Sequence, residues 1–90
     1  MKYFDWDIGK NNQLQAERDI CFEDVLVAIN EDRLLDILQH PNAKKYPNQK
    51  IFVIEVNHYA YLVPFVETKT VIFLKTIIPS RKATKNYLIN

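Results

Sequence analysis

The chain has one glycine and one cysteine in its 90 residues, and no acidic residue at all after Glu67. Each scarcity excludes something. A lone Cys21 cannot close an internal disulfide, so the fold does not rely on cross-links and suits a reducing compartment. A single glycine predicts few turns that need a positive φ. The longest apolar run, residues 59–66, is too short to span a bilayer. The amino-terminal Met1-Lys2-Tyr3-Phe4-Asp5-Trp6-Asp7 lacks the apolar stretch of a secretory signal. A soluble, cytoplasmic protein is expected, with no membrane contact. There is no Gly-rich phosphate loop and no zinc or nucleotide motif, and His40 and His58 stand apart from each other and from Cys21. No metal and no cofactor is expected.

What is present is a polarised charge pattern. Lys69, Lys75, Arg81, Lys82 and Lys85 follow Glu67, whereas the first 36 residues hold nine acids against Lys2, Lys10, Arg18 and Arg33. The net charge of +1 hides this segregation. Such a molecule can meet a polyanion at one end. With 48% hydrophobic residues and eleven aromatics the chain is long enough for one folded domain, residues 1–90, whose core is thin.

The local pattern predicts a short strand over 3–6, a helix over 8–17 capped by Asp7 and anchored by Ile8 and Leu14, and a corner at Asp19-Ile20. A second helix follows over 22–30, where Phe22, Val25, Leu26 and Ile29 recur at helical spacing. Residues 34–38 could extend that helix and read better as a strand, and 40–48 read as a polar loop. Residues 51–56 and 59–66 form a hairpin about Asn57-His58, and Pro64 demands an edge, a bulge or an early end in its strand. A last strand over 71–78 stops at Pro79, and Ser80 caps a closing helix from Arg81 to about Leu88. Helices followed by strands indicate an α+β fold. An antiparallel sheet of about four to five strands is expected, with two amino-terminal helices and a short carboxy-terminal one. Both number parities of the later strands are apolar: Ile51, Val53, Tyr61, Val63, Phe65, Phe73 and Ile77 on one, and Phe52, Ile54, Val56, Leu62, Ile72 and Leu74 on the other. The helices can cover one face, so either the sheet curls or a partner covers the rest.

Two segments resemble a known family. Phe4-Asp5-Trp6-Asp7 with Lys10-Asn11 and Ile20-x-Phe22-Glu23-Asp24 is similar to the opening of BrnT-family toxins. Ile77-Ile78-Pro79-Ser80-Arg81-Lys82-Ala83-Thr84-Lys85 is similar to their closing segment. The resemblance implies a RelE-like ribonuclease of a type II toxin–antitoxin pair, with RNA as substrate. It also implies a cognate ribbon-helix-helix antitoxin that forms a hetero-oligomer with the toxin. The chain departs from the family pattern at Glu17-Arg18-Asp19, where Lys-His-Gly is usual.

Cleaving RNA without a metal requires activation of a ribose 2′-hydroxyl, stabilisation of the charged phosphorane and a proton for the leaving oxygen. Arg81 is the candidate for the second task, because its planar fork can hold two phosphate oxygens. Lys75, Lys82 and Lys85 are candidate RNA-binding cations. Tyr87 is a candidate to stack on a base or to donate a hydrogen bond, and packing against the sheet also accounts for it. His40 is the candidate acid–base residue, since imidazole suits proton transfer near neutral pH. A solvated basic helix without a ligand, a relative that binds nucleic acid or a partner without cutting, and an interaction protein whose basic tail meets an acidic protein remain the alternatives.

Overall fold

The computed structural model describes residues 2–89. In chain order the elements are β1 (Tyr3–Trp6), α1 (Ile8–Arg18), α2 (Phe22–Asn30), β2 (Leu34–Gln39), β3 (Gln49–Val56), β4 (Tyr59–Glu67), β5 (Val71–Leu74), β6 (Ile78–Pro79) and α3 (Arg81–Tyr87). The class is α+β, as expected. The Asp7 carboxylate accepts from the Lys10 N–H and starts α1, and the Ser80 hydroxyl accepts from the Ala83 N–H and starts α3. Leu14 is buried as an anchor of α1, but Ile8 is 74% exposed and anchors nothing.

The sheet corrects the expectation in two respects. It has six strands in the order β1-β5-β4-β3-β2, with β6 also paired to β4. It is also mixed, because β1 runs parallel to β5 from Tyr3 opposite Val71 to Trp6 opposite Leu74. The strand expected over 71–78 is broken as well. Leu74 stands opposite Phe65, and the next N–H, from Lys75, donates to the Pro64 carbonyl at 2.9 Å. Proline has no N–H to return, so the reciprocal bond of an antiparallel pair cannot form. Pairing resumes with Ile78 opposite Leu62, leaving Thr76 and Ile77 to face Val63. That extra residue is a β-bulge, and it turns Ile77 into the core, where it is fully buried.

Number parity does not sort the two faces. Phe52 stands opposite Val63, so even positions of β3 share a face with odd positions of β4. One face carries Phe52, Ile54, Val63, Phe65, Leu74 and Ile77 and packs on Leu14, Ile20, Phe22, Val25 and Ala28 of the helical layer. Trp6 lies 5.7 Å from Phe22, and Phe52 stacks on Phe65. The other face is partly covered by α3, whose Ala83 and following Leu88 pack on Val53, Ala60, Leu35 and Leu62. A helix therefore covers part of the face that had been expected to need a curled sheet or a partner, while Tyr3 and Phe73 stay exposed.

Positive φ is needed at four described positions, none of them glycine: Asp19, Asp32, Asn57 and His58. The low glycine count therefore misleads, because short polar side chains tolerate this region. Asn57 and His58, both left-handed, form the two-residue hairpin turn whose twist matches the flanking strands.

Thr84 is the one buried polar side chain among the described residues. Its Oγ1 accepts from the Ala60 N–H at 2.9 Å and donates to the Ser80 carbonyl at 2.8 Å, tying α3 to β4. Thr84→Val keeps the shape but strands a buried donor, a loss of about 1–3 kcal/mol. A lower urea midpoint with an unchanged slope is expected, and Thr84→Ser is expected to lose less.

Candidate nucleic-acid interface

The side of α3 that meets the sheet decides where its cations point. Ala83 and Thr84 are buried and Leu88 is half-buried, so Arg81 and Lys85 share one exposed flank and Lys82 and Asn86 the other. Between the second flank and the sheet runs a groove of about 210 Å³. Leu38, Val53 and Leu62 form its apolar floor, and Ser80, Lys82, Ala83, Asn86 and Tyr87 line the helix side. Lys85 and Arg81 are outside it. Lys75 follows β5 on the parity of Phe73, which belongs to the α3 face of the sheet, but it does not line the groove. The sequence-predicted cations therefore share one side of the sheet without converging on one point.

The described ion pairs lie elsewhere, Lys2 and Lys50 with Glu67 and Arg33 with Glu31, and His58 Nδ1 stands 3.6 Å from Glu55. None involves Lys75, Arg81, Lys82 or Lys85. The Ala83 N–H is taken by the Ser80 hydroxyl, and α3 has only seven residues, so its own dipole adds little for an anion.

Tyr87 closes one end of the groove. Its hydroxyl donates to Asp36 Oδ2 at 2.5 Å, while the Ile37 N–H donates to Oδ1 of the same carboxylate at 2.7 Å. The phenol hydrogen bond first, and the backbone one second, hold the Asp36 carboxyl below its ordinary range. The same bond to Asp36 pushes the Tyr87 phenol up. Asp36 was not singled out in the sequence, although an acid inside the apolar run Leu34-Leu35-Asp36-Ile37-Leu38 is a usable signal. Asn86 was also missed; its position one turn after Lys82 is the only hint.

His40 is not in the groove. It follows β2, its ring lies 4.7 Å from the Tyr46 ring, and its Nδ1 accepts from the Asn42 N–H at 2.9 Å. With Nδ1 accepting, the neutral ring carries its proton on Nε2, and the residue braces the β2–β3 loop. Cys21 is the N-cap of α2, and burial pushes its thiol up despite the helix start, so it is no activated nucleophile.

Two other concavities hold none of the predicted residues. One of about 380 Å³ is lined by Gln15, Asp19, Asp24, Arg33 and Asn57, and one of about 400 Å³ by Lys2, Asn48, Glu67 and Lys69. Among the described residues no cluster of three metal-ligating side chains occurs, and no helix is long and apolar enough to cross a membrane. No family model, curated protein or solved structure matches the chain.

The Asp36–Tyr87 bond makes a pH prediction. A carboxylate whose folded pKa is depressed contributes stability above its unfolded value, about 3.9, and loses it as pH falls through the folded value. Side-chain carboxyl NMR should show Asp36 titrating lower in wild type than in Tyr87→Phe. Amide protection factors (exchange relative to the intrinsic rate at the same pH) in the last turn of α3 should fall in acid for the wild type, and should be lower than wild type above that range for the variant.

Proposed function

We propose that the chain is the toxin of a bacterial type II toxin–antitoxin pair, an endoribonuclease that cleaves RNA without a metal and is neutralised by a small ribbon-helix-helix antitoxin. The observation that carries the proposal is the set of cations on one side of the sheet. Lys75, Arg81, Lys82 and Lys85 are exposed and, among the described residues, without a carboxylate partner, while the acid-rich helices lie on the opposite face. Cations with no internal partner are available to phosphate.

In the reaction the ribose 2′-oxygen attacks the adjacent phosphorus, the 5′-oxygen leaves, and a 2′,3′-cyclic phosphate remains. Arg81 offsets the extra charge of the phosphorane, with Lys85 beside it on the same flank and Lys82 and Lys75 extending the positive field to either side. His40 stands outside the groove with Nδ1 occupied, and the Tyr87 hydroxyl is given to Asp36. Those two observations favour a second reading, a relative that holds RNA or its partner without cutting. The exposed Tyr3 and Phe73, on the sheet face that α3 leaves uncovered, suit the antitoxin contact in either case.

The two readings separate in one experiment with purified protein, RNA and a chelator. The nuclease releases fragments ending in cyclic phosphate, and Arg81→Ala slows this by about 10²–10³ with unchanged circular dichroism. A non-cutting binder gives no fragments but binds RNA with a steep salt dependence, its slope falling by about 1 for each cation removed. Neither fragments nor salt-dependent binding overturns both.

A further inference from the structure

We infer that the groove beside α3 is a nucleobase pocket, with Tyr87 as its stacking wall and Asn86 as the residue that reads the edge of the base. This rests on the RNA reading above and assigns the groove a part in it.

The groove is apolar below and polar above. A phosphate gains nothing from a floor of Leu38, Val53 and Leu62, because a charge buried without partners is heavily penalised. The phosphate therefore belongs at the rim with Lys82, or outside with Arg81 and Lys85. The group that suits the floor is flat, largely apolar on its faces, polar at its edge and attached to the phosphate, and a nucleobase has that chemistry. At about 210 Å³ the groove is smaller than sites for drug-sized ligands and suits a single ring system.

Tyr87 is prepared for this task. Its hydroxyl donates to Asp36, which holds the ring at the end of the groove, and the residue remains 37% exposed. A fixed, exposed aromatic ring stacks on any base. Asn86 lies one turn from Lys82 on the groove flank, and its amide offers both a donor and an acceptor. One flank of α3 thus sets a phosphate contact and a base-edge contact one helical turn apart. A base inside a duplex has both faces covered and cannot reach the floor, so the ligand is a strand with unpaired bases. Charge complementarity favours RNA over an apolar side chain of a protein partner. Cations stand on both flanks of α3, and among the described residues no carboxylate lines the groove, although Asp36 beside its Tyr87 end keeps its charge.

Fluorescence anisotropy with short single-stranded RNA, the same backbone bearing abasic riboses, and a duplex of the same sequence tests the inference. Wild type is expected to bind the base-containing strand about tenfold or more tighter than the abasic one, and more tightly than the duplex. Asn86→Ala and Tyr87→Ala should narrow the gap, whereas Lys85→Ala should weaken every ligand by a common factor and leave the gap intact. Asn86 is exposed and away from the packed stripe of α3, so its variant reads the pocket even if Tyr87→Ala loosens the helix. Equal, salt-dependent binding of the abasic and base-containing strands overturns the pocket, leaves the phosphate reading standing, and turns the groove toward a partner's side chain. No salt-dependent binding to any of the three overturns both.

Discussion

Both faces of β3 and β4 are apolar, so the sheet has to be covered twice, and the second cover is a helix of only seven residues. A helix that short does not hold itself together in water. It is held instead at three levels, by one local cap and two tertiary bonds. Ser80 caps its start, Thr84 joins its middle to the backbone of Ala60, and Tyr87 ties its end to Asp36. The small Ala83 lets the helix approach Val53 and Ala60 closely. These contacts fix the rotation of α3 about its axis, and that rotation directs Lys82 and Asn86 over the groove and Arg81 and Lys85 outward. The positions of the cations follow from the packing of neutral residues.

The acids are disposed to leave those cations available. Asp7, Glu17, Asp19, Glu23, Asp24, Glu31 and Asp32 belong to the helical layer on the far side of the sheet. Across that thickness their influence is reduced to about the reach of salt screening. The remaining four are engaged locally. Glu67 is held by Lys2 and Lys50, Glu55 stands 3.6 Å from His58, Asp5 accepts from the Trp6 N–H, and Asp36 accepts from Tyr87 and Ile37. Asp5, Asp36 and Glu55 stand on the α3 face with the four cations, so that side is only mildly cationic and its excess of positive charge is concentrated on α3.

Much of the local architecture was legible because its causes are local. Asp7 and Ser80 announce their helices through caps, the Phe22, Val25 and Ile29 spacing defines α2, and Asn57-His58 announces its turn. The parallel pairing of β1 with β5 was not legible, since it joins segments at opposite ends of the chain and leaves no mark on either. Face assignment failed for a similar reason. Hairpin register decides whether even and odd numbers share a side, and register is a property of two strands. The basic cluster was legible as charge, but not its division into two flanks, which depends on Ala83 and Thr84, residues whose types carry little signal. By residue type Arg81 is the strongest phosphate ligand, whereas Lys82 is the one that lines the groove.

The course of the carboxy-terminal third traces to one missing hydrogen. Without an N–H on Pro64, the pair it makes with Lys75 has a single bond, and β5 ends there. The bulge that follows reverses the alternation, so Ile77 enters the core and its carbonyl accepts from Arg18 at the end of α1. Ile78 then pairs with Leu62 on the α3 side, and the Ser80 N–H donates to the Ala60 carbonyl. That bond sets Ser80 where it can cap a helix lying across Ala60 rather than running off the sheet. An uninterrupted strand would have kept Ile77 on the α3 face, with no apolar residue to fill its place in the core. The groove, the rotation of α3 and the site of its lysines all lie downstream of that break.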